Sequence, residues 1–129
     1  MLAVIDTNVL VSAMLSDRGA PSKIMQMVTN DIITPCYDNR ILSEYCDVLM
    51  RPKFGFNEYR VSGLLNMVIN KGINYTVRVL DVDFIDKDDK KFYEVAKFSN
   101  AVIITGNIKH FPREDMIMTP GEFLEKYNL

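Results

Sequence analysis

Cysteine is scarce in this chain. Cys36 and Cys46 stand alone among 129 residues, with no paired Cys-x-x-Cys spacing, so a zinc site lacks its usual ligands and a disulfide framework lacks partners. Two reduced thiols are the expectation. Long apolar runs are missing as well: none approaches the roughly 18 residues that a membrane-spanning helix needs. No basic segment leading into an apolar stretch and a small-residue cleavage site opens the chain, so the expected address is the cytoplasm, with no membrane partner. An excess of positive charge is also absent. The formal net charge of -2 lacks the basic footprint usual in nucleic-acid binders, although a local basic patch stays open. A negative total is equally what results when carboxylates are committed to holding metal ions, whose charge reverses the local balance. Repeats, low-complexity tracts and linkers are not found. With 48% hydrophobic and 25% charged residues, the composition is that of a globular protein, and residues 1–129 are expected to form one domain.

Beneath that composition lies an alternation of short apolar runs and helical stripes. Leu2 to Ile5 reads as a buried strand that stops at Asp6-Thr7-Asn8, and Val9, Leu10, Ala13 and Met14 have helical spacing. Ser16 to Gly19 breaks that helix, and Pro21 suits the first turn of a second one carrying Ile24, Met27 and Val28. Ile32-Ile33-Thr34, closed by Pro35, reads as strand two. Tyr37-Asp38-Asn39 opens a helix with the stripe Ile41, Leu42, Tyr45, Val48 and Leu49, which ends before Pro52. After a turn at Phe54-Gly55-Phe56, Asn57 caps another helix reaching Lys71-Gly72. Tyr75 to Leu80 is the expected third strand, and Asp86 to Asp89 precedes a helix through Phe92, Val95, Ala96 and Ser99. Ala101 to Ile104, a fourth strand, ends at Thr105-Gly106-Asn107, and Met116 to Met118 is a fifth. Thr119 as N-cap, Pro120 as the first helical residue and Glu122 as the capping-box acid start a last short helix, Phe123 to Tyr127. Strands alternating with helices imply an α/β fold whose sheet is parallel and covered by helices.

Five acids and one amide can meet in such a fold: Asp6 at the end of strand one, Glu44 on the helix after strand two, Asp86, Asp88 and Asp89 before the helix preceding strand four, and Asn107 after strand four. Each has a plain structural alternative. Asp6 can cap the following helix, Glu44 can be a solvated helix-edge residue, and the three aspartates can favour a helix N-terminus through its dipole. Asn107 can supply a turn. Gathered from separate segments, however, carboxylates repel unless a cation joins them, and hard oxygen donors suit Mg²⁺ or Mn²⁺. One or two such ions activate water for displacement at phosphorus, which is nuclease chemistry.

Four segments in order, Val4-Ile5-Asp6-Thr7-Asn8-Val9-Leu10-Val11-Ser12-Ala13, Leu42-Ser43-Glu44, Asp86-Lys87-Asp88-Asp89-Lys90-Lys91-Phe92 with Ala96, and Ile104-Thr105-Gly106-Asn107, resemble a PIN domain. Within that family the likeness is to single-domain prokaryotic toxin components of toxin–antitoxin pairs, relatives of VapC-type ribonucleases, and it runs from Met1 to the Thr119-Pro120 region. The resemblance implies a three-layer α/β/α fold with a central, mostly parallel sheet of about five strands and a metal-dependent endoribonuclease acting on RNA. It places Asp6, Glu44 and Asp89 on the three principal acidic positions, with Asp86 and Asp88 competing for the third. Asn8 and Thr105 fall where polar residues orient the first carboxylate or a water on the metal.

Two positions depart from the family pattern. Asn107 replaces a fourth acid, which weakens a second metal position, and Lys87 replaces a proline. The resemblance also implies a small antitoxin covering the acidic cleft, and a homodimer. Lys109 and His110 on the strand-four elbow, and Arg51, Lys53 and Arg60 elsewhere, are candidate phosphate contacts, which position RNA without specifying sequence. A local hydrogen-bonded role is the other reading of His110. The alternative function is a degenerate PIN-like module that binds RNA or a protein without cutting. An aspartate-nucleophile phosphatase fails, because the position two residues after Asp6 is Asn8 rather than an acid.

Overall fold

In a computed structural model, which describes residues 1–127, the chain runs β1 (Leu2–Ile5), α1 (Thr7–Leu15), α2 (Ala20–Thr29), β2 (Thr34–Tyr37), α3 (Asn39–Leu49), α4 (Glu58–Lys71), β3 (Ile73–Asn74), α5 (Lys90–Ser99), β4 (Val102–Ile104), β5 (Ile117–Met118) and α6 (Pro120–Lys126). The last two positions of the expected 1–129 domain lie outside the described residues. The five strands are parallel throughout, in the order β3-β2-β1-β4-β5, so the sheet is wholly parallel rather than mostly so. α5 packs across β1, β2 and β4, while α2 packs against both α1 and α6. Strand interiors such as Val4, Ile5, Ile103 and Ile104 are buried, as a sheet covered on both faces requires.

The order matters for chemistry. From β1 the chain moves outward through β2 to β3, then returns to the other side of β1 with β4 and β5. β1 and β4 are therefore neighbours whose connections leave in opposite directions, the crevice where ligands bind in open parallel sheets. Asp6 follows β1 and Thr105 follows β4, on the carboxyl side of that crevice.

Several expected boundaries move. Strand two is not Ile32–Thr34 closed by Pro35 but Thr34–Tyr37, with Pro35 inside it. The Thr34 amide bonds to Met1 on the β1 side, so the next residue faces the opposite edge. There β3 pairs only with Cys36 and Tyr37, so the proline's missing donor has no ladder bond to lose. The expected third strand, Tyr75–Leu80, is instead the two residues Ile73–Asn74, and 75–86 follows without regular structure. Its alternation reflects anchoring rather than pairing: the Leu80 amide donates to buried Glu94, and Phe84 packs against Tyr93 and Phe111. The acidic segment Lys87–Asp89 is a 3-10 turn, and α5 begins only at Lys90. The Phe54-Gly55-Phe56 turn is a 3-10 turn over Pro52–Phe54 closed by Gly55 in the left-handed region at φ 61°. α6, by contrast, starts where expected, with Thr119 as N-cap, Pro120 as the first helical residue and the Thr119–Glu122 capping box formed in both directions.

Candidate active site

Asp6 sits at the end of β1 with 4% of its surface exposed. Its backbone amide bonds to the Ile104 carbonyl at 2.9 Å, which fixes the carboxylate relative to β4. Asp6 occupies the N-cap position of α1, but its side chain makes no cap hydrogen bond to the first turn. Instead Oδ2 accepts from the Thr105 hydroxyl at 2.7 Å and from the Asn8 amide at 3.2 Å. No side chain among the described residues donates to Oδ1. The elbow after β4 is itself braced: Gly106 donates its amide to Asn8 Oδ1 at 3.0 Å and Asn107 its amide to the Thr105 hydroxyl at 2.9 Å. A Cβ at Gly106 would stand 3.3 Å from Asn8 Oδ1, tight enough to make glycine the comfortable choice there. Burial raises the Asp6 pKa from 3.8 to about 6, against the lowering effect of Thr105, and the charges of Asp89 and Glu44 push it further up. Desolvation is the larger cause, and the neighbouring carboxylates add to it.

Glu44 projects from α3, whose place is set by Tyr45: its buried hydroxyl donates to the Ile5 carbonyl. One Glu44 oxygen accepts from Thr7, and the other pairs with Lys91 Nζ at 2.7 Å. Asp89, half-buried between the 3-10 turn and α5, pairs through Oδ2 with His110 Nδ1 at 3.1 Å. Burial raises its pKa above the ordinary value, a hydrogen bond and charge from His110 oppose the rise, and the charges of Asp86 and Glu44 add to it. Asp86 and Asp88 are exposed, and an Asp86 oxygen caps the 3-10 turn through the Asp88 amide at 2.9 Å.

Among the described residues, one trio of acid, cysteine or histidine side chains brings its ligand atoms within 4.8 Å of one another: Asp86, Asp89 and His110. Asp6, Glu44 and Asp89 face one another closely enough to perturb the Asp6 charge but do not close to that distance. Asn107 lies on the β4 elbow, exposed, beside exposed Lys109. Arg51 pairs with Asp47 at 3.3 Å, Lys53 stands over the Phe54 ring, and Arg60 donates to the Met14 carbonyl at 3.3 Å.

Two contributors escaped the sequence reading. Thr7 sits in the Asp-Thr-Asn triplet, where its hydroxyl is as well placed as its neighbours for a partner. Lys91 lies two residues after Asp89, on the first turn of the same helix, where a basic residue opposes the helix dipole and so needs another reason. His110, by contrast, takes the local hydrogen-bonded role, one of its two readings, joined to Asp89.

The oxygen donors here fit a hard divalent cation. Among the described residues no side chain donates to Asp6 Oδ1, the raised Asp6 pKa would be relieved by a positive charge, and Asp89 lies near enough to add to that rise. Such a cation would be held by Asp6 and Asp89, with Asp86 and His110 forming the outer side of the Asp89 position.

The sequence profile of the family described as PIN domain matches residues 3–109. An uncharacterized protein of Methanocaldococcus jannaschii is 31% identical over 145 aligned positions, spanning 96% of this chain and 90% of that one.

Proposed function

Because the chain belongs to the PIN domain family, a nuclease superfamily, we propose that it is a divalent-metal-dependent endoribonuclease and serves as the toxin of a toxin–antitoxin pair. The observation that carries the catalytic reading is the fixed Asp6 carboxylate at the β1/β4 crevice: one oxygen is held by Thr105 and Asn8, the other is left for a ligand, and Glu44 and Asp89 bring further negative charge toward it. Asp6, Glu44 and Asp89 are the proposed catalytic acids, with Asn8 and Thr105 as orienting residues and Asn107 at the rim.

A bound Mg²⁺ or Mn²⁺ would supply a water of lowered pKa and a positive charge for the phosphoryl oxygens. The chain's own residues do the rest. Thr105 and Asn8 orient Asp6 so that Oδ1 points to the ligand position. His110 holds Asp89 through Oδ2, leaving its other oxygen for the same task, and Lys109 on the elbow offers a phosphate contact at the rim. An antitoxin segment that covers the cleft would have to bring positive charge to these acids, and RNA would have to enter by the same side. No helix among the described residues is long and apolar enough to cross a membrane, and a cytoplasmic site of action is part of the proposal.

The test is Mn²⁺-dependent cleavage of single-stranded RNA by the purified chain. Cleavage is expected to fall to background in both Asp6→Asn and Asp89→Asn. Cleavage retained by both variants, or by the wild-type chain in excess chelator, would refute the assignment.

A further inference from the structure

Lys91 is an unusual residue to find among these acids. Its side chain is 13% exposed, its Nζ pairs with Glu44 Oε1 at 2.7 Å, and the same ammonium donates to the Asp88 carbonyl. It also stands 5.1 Å from the centre of the Phe92 ring. An ammonium has three protons and no acceptor, and a carboxylate, a carbonyl and an aromatic face surround it. The cation is therefore built in, not a surface lysine that happens to reach inward.

Its partner is equally committed. The other Glu44 oxygen takes the Thr7 hydroxyl, so both carboxylate oxygens are occupied by side-chain donors, whereas Asp6 and Asp89 each accept side-chain donors on Oδ2 alone. Across the cleft, the residue at the β4 elbow is the neutral, exposed Asn107. Three acids face one another here. Lys91 balances Glu44 and a single divalent ion balances Asp6 and Asp89, so a second ion would find only Asp86, exposed on the outer side of Asp89, to balance it.

We propose that the Lys91 ammonium takes the place of a second cation at this centre, making Glu44 a lysine-held positioning carboxylate and leaving one divalent ion between Asp6 and Asp89. This rests on the metal-dependent reading above and specifies its cation arrangement. Lys91 thus acts as a fixed positive charge delivered by α5, and it ties α3 to the 3-10 turn that carries Asp89.

Calorimetric titration of the metal-free full chain with Mn²⁺ at pH 7.5 tests this directly, with wild type, Lys91→Met, Lys91→Gln, Lys91→Arg and Asp6→Asn compared after thermal melts establish which are folded. The wild-type chain is expected to bind one Mn²⁺, and Asp6→Asn to lose it. Lys91→Met or Lys91→Gln is expected to add a second Mn²⁺ or tighten the first by about tenfold or more, the scale set by removing a unit charge roughly 5 Å from a divalent ion in a water-like medium. Lys91→Arg, which keeps the charge, is expected to retain one ion. Two ions in the wild-type chain, or unchanged or weaker binding in folded Lys91→Met and Lys91→Gln, would overturn the inference while leaving an Asp6-dependent metal centre intact. Absence of Asp6-dependent binding in every variant would overturn both the inference and the nuclease reading beneath it.

Discussion

Two groups of buried or half-buried acids flank α3, and they are built on opposite plans. Around Arg40, Asp38 and Glu94 share one guanidinium, with contacts of 2.7 and 2.8 Å. Asp38 also caps α3 through the Ile41 amide at 3.0 Å, and Glu94 receives the Leu80 amide. Burial works against the Arg40 charge, but the hydrogen bonds and charges of Asp38 and Glu94 outweigh it and raise its pKa above the ordinary value. Around Asp6 the donors are a hydroxyl and an amide, which orient the carboxylate without neutralising it, and burial, with a smaller push from the neighbouring acids, raises its pKa. The first group sets one guanidinium directly against both of its acids and fastens the 75–86 segment and α3 to α5. The second sets Lys91 against Glu44 and the His110 ring against Asp89 but, among the described residues, no cation against Asp6, which is where the proposed divalent ion would bind.

Breaking the closed group should have the larger effect on stability. Arg40→Met would strand the Glu94 carboxylate, which is 2% exposed, and is expected to cost about 3 kcal/mol or more. Urea denaturation would read this as a lower midpoint, and the companion substitution Glu94→Gln should recover part of the loss. Cleavage per folded molecule is expected to survive, since neither side chain reaches the acids at the crevice.

The open group should respond with the opposite sign. The folded-state pKa of Asp6, about 6, lies above its ordinary value of 3.8, so between those values the folded chain holds the proton that the unfolded chain has released. Stability of the metal-free protein is then expected to fall as pH rises through this window. Asp6→Asn removes that penalty. At pH 7 to 8 it should stabilise the metal-free chain by at most about 3 kcal/mol, with the gain vanishing at about pH 4 and below. Thermal melts of the two proteins across that range, in chelator, would show the difference; equal melting temperatures at pH 7.5 would mean that Asp6 carries no electrostatic strain.

The same contrast explains what was readable beforehand. Asp6 at a strand end, the polar elbow at Thr105-Gly106-Asn107 and the Thr119–Glu122 capping box depend on local chemistry, and the sequence order of these features suffices to place them. Strand two and strand three were displaced because tertiary anchoring overrode local preference: Pro35 is harmless only because β3 is short, and Tyr75–Leu80 looks strand-like yet is tied down by Glu94. The Arg40 network joins residues 54 positions apart, and the Lys91–Glu44 pair joins residues from α5 and α3. Neither carries a local pattern, since a charged residue on a helix looks the same whether it faces solvent or a buried partner.

A crystal soaked in Mn²⁺ and measured for anomalous scattering tests the central claim most directly. The expected result is a peak about 2.2 Å from Asp6 Oδ1, shared with Asp89, with Lys91 still on Glu44. A peak held by Asp86, Asp89 and His110 with Asp6 bare, or no peak at the β1/β4 crevice, would contradict an Asp6-centred metal site.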